Sequence, residues 1–207
     1  KLLHPDDVDG RTQPVPRNVA DALEARLDDD DGRVRGAAAE GLRFEIAGGL
    51  SDTALARCVA MLVDRHPAAR EATEALLYDE RRRLGPHVPT ILAQLDRSPD
   101  DEARARQLWL LSNPPGPPSD AVVAAWAAGF GSSSSVVVEA ALRAIEWARP
   151  IGPATLAQLL PLIEARLAGP AHTEAAARAL GLYGPRAGPA ADAVARAAAA
   201  GSKAAAI

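Results

Sequence analysis

The sequence predicts an all-α fold, a solenoid of about five stacked helical hairpins, and three observations carry that prediction. The segment Val34-Arg35-Gly36-Ala37-Ala38-Ala39-Glu40-Gly41-Leu42 is echoed from Ala68, Ala103, Val137 and His172, at intervals of 34, 35, 34 and 35 residues. Offsets four, seven and eight from each start are mostly small or aliphatic and share one face at 3.6 residues per turn. The 17 prolines and 16 glycines gather in clusters such as Pro114-Pro115-Gly116-Pro117-Pro118, which punctuate helices rather than interrupt them.

The repeat sets the phase of each element. Eight residues after each start stand Leu42, Leu76, Leu111, Ile145 and Leu180, a column expected to form a buried ridge. Offset four carries Ala38, Ala72, Gln107, Ala141 and Ala176, and small residues one turn from the ridge let helices approach closely. Gln107 and Leu110 break this pattern in the third copy, so a local distortion or wider helix separation is expected there. Another apolar, periodic segment precedes each of these helices, over 17–27, 51–64, 86–96, 119–130 and 153–168, and completes a hairpin.

Helix-start signals agree with this reading. Ser51 and Asp52 precede the second unit's first helix, Ser119 and Asp120 the fourth's, and Pro99-Asp100-Asp101-Glu102 opens the third unit's second helix. Acidic first turns complement the helix dipole. A lone hairpin cannot bury its apolar face, whereas stacked hairpins share a continuous core.

The second-helix pattern, an apolar residue, often Arg, then Ala-x-x-Ala-Leu, resembles the HEAT repeat; Val34-Arg35 through Leu42 and His172 through Gly184 are its best copies. The resemblance covers residues 17–187 and implies a right-handed array with units 17–49, 50–84, 85–113, 118–149 and 152–187. Residues 1–16 read as an N-terminal extension and 188–207 as a partial sixth repeat or cap. Tetratricopeptide repeats share the period, but their aromatic and Gly-Tyr positions are not found.

Hydrophobic residues make up 48% of 207, ample for a packed core, while aromatics are only 3%. A net charge of -4 argues against a general nucleic-acid or anionic-membrane binder, which would carry a basic stripe. The single Cys58 excludes an internal disulfide and a cysteine-based zinc site; it reads as a core residue in a reducing, cytoplasmic setting. No apolar run reaches the roughly 20 residues of a membrane span. The start, KLLHPDDVDG, has neither an initiator Met nor a signal-peptide core, so the chain is expected to begin inside a longer product. Gly201 to Ile207 resemble a vector remnant or an unfinished helix.

Catalytic and ligand motifs are sought without result, and no cofactor or metal is expected. His4, His66, His87 and His172 fall in different units with no metal-site spacing. Asp28 to Asp31 before Gly32 lack the acids an EF-hand would need at Leu27 and Ala38, and read as an acidic N-terminal cap. Ser132 to Ser135 read as a flexible loop with no nucleophile elbow, and Gly201-Ser202-Lys203 lacks the Gly of a phosphate loop. Arg81-Arg82-Arg83 is the densest basic run and sits at a helix C-terminus, where cations are favoured.

The resemblance to HEAT arrays implies that second helices line a concave binding face. Six residues after each start lie Glu40, Glu74, Trp109, Arg143 and Arg178, joined by Arg35 and Arg104 from a neighbouring column. A Trp flanked by Arg has the composition of an interface hot spot. Trp147 shares a column with Phe44, Tyr78 and Leu182 that is expected to be core. The sequence points to a non-catalytic scaffold for a protein or peptide of mixed charge. An accessory or inhibitory protein to an enzyme or toxin, and a HEAT-like DNA-binding or repair protein, stand as alternatives.

Overall fold

Every regular element among the described residues is helical. The computed structural model describes residues 16–43, 49–112, 116–148, 151–167, 172–181 and 188. The expected N-terminal extension, apart from Pro16, and the expected partial sixth repeat, apart from Gly188, lie outside them. The chain divides into two compact units, Lys1–Asp79 and Glu80–Ile207.

The first unit holds α1 (Arg17–Arg26), α2 (Gly32–Gly41), α3 (Asp52–Met61) and α4 (Pro67–Asp79). Asp31 caps α2 by accepting from the Arg33 N–H, and the Ser51 hydroxyl caps α3 by accepting from the Ala54 N–H. Each cap satisfies an amide that the first helical turn leaves without a partner. Helix α1 packs on α2 and α3 on α4, while the most extensive contact joins the two second helices, α2 and α4. Gly36 permits that approach, since a Cβ there would lie 3.0 Å from the Ala68 carbonyl oxygen. Cys58, Val59, Leu76 and Leu77 are fully enclosed, so Cys58 is a core residue as expected.

The second unit opens with short 3-10 turns at Arg81–Arg83 and Gly85–His87 and continues through α5 (Val88–Gln94), a 3-10 turn at Leu95–Arg97, and α6 (Asp101–Leu110). Then follow α7 (Asp120–Phe130), α8 (Ser135–Trp147), α9 (Pro153–Leu167) and α10 (Thr173–Gly181). Asp100 and Ser119 cap α6 and α7 through the N–H groups of Ala103 and Val122. Helices α6 and α8 make the broadest contact; α8 also packs on α10, α7 on α8 and α9, and α9 on α10. No distortion is seen at Gln107 itself, which lies in the regular helix α6; the irregularity of this repeat is in α5, a short helix bounded by 3-10 turns, and the buried Gln107 side chain accepts a 3.0 Å hydrogen bond from Ser98. That bond answers the cost of enclosing an amide in an apolar contact.

The repeat phase agrees with burial. Leu42, Leu76, Leu111, Ile145 and Leu180 are each no more than 2% exposed. At offset four Ala38, Gln107, Ala141 and Ala176 are buried, and Ala72 is half-buried. Trp126, on α7, is also enclosed completely.

Two expectations need correction. Trp147 is 57% exposed, not core, and Tyr78 in the same column is only half-buried; Phe44 and Leu182 lie outside the described residues. At about 100° per residue, offset ten points about 110° away from the middle of the buried face, and α8 ends at Trp147, so no further turn of this helix covers the ring. Ser132 to Ser135 are not simply a loop: the Ser134 N–H donates to the Ser132 hydroxyl, Ser134 precedes α8 as its cap residue, and Ser135 is its first helical residue. No helix among the described residues is long and apolar enough to cross a membrane.

A Cβ at Gly129 on α7 would lie 2.9 Å from the Ala141 Cβ and 3.1 Å from Leu108, closer than carbon atoms pack. Gly129→Val is therefore expected to destabilise the second unit by about 1–3 kcal/mol through overpacking. Gly131→Ala, at an exposed helix end, should stay within about 0.5 kcal/mol of the parent. Thermal melts followed by circular dichroism compare them; equal midpoints for the two variants would contradict this packing.

Candidate functional site

The outward faces of the second helices carry the residues singled out by the repeat. In the first unit Glu40 is exposed on α2 and accepts from Arg43 at 3.1 Å, while Arg43 also donates to Asp79 of α4 at 3.3 Å. Glu74 is half-buried on α4 and engaged in an interaction of its own.

Arg35 has a different position from its expected place in a contact set. Its Nε and Nη2 donate to the two carboxylate oxygens of Asp64, each at 2.8 Å, and its Nη1 donates to the carbonyls of Asp29 and Asp30 at 2.6 and 3.1 Å. The guanidinium thereby joins the loop between α1 and α2 to the loop between α3 and α4. Asp64 further accepts from the His66 N–H, and its carbonyl accepts from the buried Arg70. Burial pushes the Asp64 carboxyl up, but the Arg35 hydrogen bonds, the His66 N–H and the nearby positive charge outweigh it and hold the group below its ordinary range.

A second latch lies on the first-helix side. Glu24 of α1 accepts from both the N–H and the hydroxyl of Ser51, the cap of α3, and from Arg17 at 3.0 Å. Arg17 also reaches the Gly49 carbonyl at 2.7 Å, and Arg57 of α3 donates to the Glu24 carbonyl at 3.1 Å. Burial raises the Glu24 carboxyl, and the Ser51 hydrogen bonds with the Arg17 charge bring it below its usual value. At Asp31 the Arg33 side chain and N–H hold the capping carboxyl down to about 2.

In the second unit Trp109 is half-buried on α6 and engaged in an interaction of its own. Arg104 lies 3.6 Å from the exposed Asp96. Arg143 on α8 donates to Glu139 at 2.7 Å, and Arg178 on α10 donates to Glu146 of α8 at 3.2 Å. One turn beyond Arg143 stands the exposed Trp147, and two turns before it the exposed Val136. Val136, Glu139, Arg143 and Trp147 make one outward stripe along α8. The sequence reading missed three of these four residues; counting helical angle from the buried ridge would have found them.

The column at offset six is thus present as two separate sets, Glu40 and Glu74 in the first unit and Trp109, Arg143 and Arg178 in the second. The described histidines, His66, His87 and His172, stand on separate segments, and His4 lies outside the described residues. Among the described residues no three His, Cys, Asp or Glu side chains are grouped to hold a metal ion. No protein-family model matches the chain, and no curated protein matches it.

The latch and the surface pairs differ in consequence. Arg35→Ala strands the 9% exposed Asp64 carboxylate and is expected to cost about 2–3 kcal/mol. Arg143→Ala breaks an exposed pair and should change stability by no more than about 0.5 kcal/mol. Because the folded Asp64 carboxyl is depressed, its contribution is complete above the ordinary carboxylate range and is lost as pH falls through the lowered value. Urea unfolding should show a shallower acid limb in Asp64→Asn than in the parent; equal losses from Arg35→Ala and Arg143→Ala would contradict the latch.

Proposed function

We propose that the chain is a short, right-handed HEAT-like solenoid acting as a non-catalytic scaffold or adaptor for another protein or peptide of mixed charge. The observation that carries this reading is the match between repeat phase and burial. Offset eight is enclosed in all five copies, while offset six leaves Glu40, Arg143 and Arg178 exposed and Glu74 and Trp109 half-buried. Successive hairpins within each unit pack second helix on second helix, the neighbour relation such an array requires. The single cysteine, buried in α3, suits a reducing, cytoplasmic setting.

Charge favours a protein partner over nucleic acid. On α8 and α10 each exposed arginine has a glutamate on it, at 2.7 and 3.2 Å, so this face lacks the uncompensated cationic stripe that counterion release from a phosphate backbone rewards. The exposed Arg143–Glu139 pair is individually weak and opens readily to a partner's carboxylate or amine.

The full chain, immobilised and exposed to lysate at physiological salt, should retain a polypeptide that a folded Arg143→Glu, Trp147→Ala double variant fails to retain, read by mass spectrometry. Retention of nucleic acid alone, or capture indifferent to that variant and to Glu74→Arg, would overturn the scaffold reading.

A further inference from the structure

The stripe on α8 is complementary to itself. Along the helix run Val136, 39% exposed, then Glu139 and the half-buried Ala140, then Arg143, and finally Trp147, 57% exposed. The acid precedes the base by one turn, and the small aliphatic side chain precedes the large aromatic one by three. When two such helices cross antiparallel about a two-fold axis level with residues 140–142, Glu139 of each copy faces Arg143 of the other. Trp147 of each copy then covers Val136 of the other. Ala140, closest to the axis on the outward side, lets the helices reach the 8–10 Å separation of packed pairs.

We propose that the occupant of this face is a second copy of the chain, in an isologous α8-to-α8 dimer. The inference rests on reading the outward faces of the second helices as binding faces, and names the partner for one of them. Two features of the stripe support a second copy. Both charges are matched within the same four-residue spacing, so an antiparallel copy satisfies them without any residue from elsewhere, as a C2 interface requires. The aromatic side chain is the most exposed large hydrophobic group among the described residues, and Trp is one of the residue types enriched at interface hot spots. The Glu139 and Arg143 side chains already meet at 2.7 Å within one helix; in the dimer the two pairs together form one four-charge ring of alternating sign. A helix of 13 residues is about 20 Å long, so the contact is smaller than a permanent interface, which places the dimer among weak, reversible associations seen at protein concentrations on the order of 100 μM.

Sedimentation of the purified full chain over a concentration series tests this without any other partner. The parent should show a concentration-dependent dimer. Glu139→Arg sets Arg against Arg, and Arg143→Glu sets Glu against Glu, so each variant alone should dimerise at least about tenfold more weakly. An equimolar mixture of the two restores both opposite-charge contacts and should recover a heterodimer. Trp147→Ala should weaken association by about tenfold or more, with circular dichroism confirming the fold of every variant. A parent that remains monomeric, or a dimer indifferent to the single charge reversals, would overturn the proposal; capture of a different polypeptide by that monomer would leave the scaffold reading standing and this one refuted.

Discussion

Close contact between consecutive second helices is the constraint on which each unit depends. The contact of α2 with α4 and that of α6 with α8 are the broadest in their units. In the first unit the approach exists because a side chain between the helices is absent. Gly36 meets backbone at the start of α4, and in the second unit Gly129 of α7 leaves room for Ala141 of α8 and Leu108 of α6. Ala-rich faces have little side-chain volume to bury per residue, so stability comes from the aliphatic ridge at offset eight, which fills the remaining space in low-entropy fashion. The same small residues strengthen helix propensity, so local preference and packing point the same way.

The two units add different devices to this common frame. In the first, charged side chains bridge the hairpins on both sides, through Arg35 and Asp64 at the loops and through Glu24 and Ser51 at the first helices. These groups are largely removed from solvent, so breaking one partner leaves a costly residue behind, which fixes hairpin register more than it adds net energy. In the second unit the interior encloses large apolar groups such as Trp126, Phe130 and Leu142, and Gln107 is a buried polar side chain on a second helix.

Most of the helices were legible in the sequence because their signals are local and repeated. First helices over 17–26, 52–61, 120–130 and 153–167 match the apolar segments read from periodicity, and Ser51, Asp100 and Ser119 cap where their residue types predict. The candidate site was less legible, for a physical reason. Whether an arginine binds a partner or locks the fold depends on what another hairpin places beside it, and Asp64 lies 29 residues from Arg35. Trp147 belongs to a column of apolar residue types that suggests burial, but its angle from the ridge sets it outward.

The functional reading turns on one claim, that the period of 34 to 35 residues specifies which side chains are enclosed and which are presented. Single cysteines placed at offsets six and eight of the same helices, in a Cys58→Ala background, test it through thiol-labelling rates. Cysteines at positions 143 and 178 should label at nearly the rate of an unfolded control, and cysteines at 145 and 180 should be strongly protected. Comparable rates at both offsets would contradict the repeat phase and, with it, the assignment of a binding face.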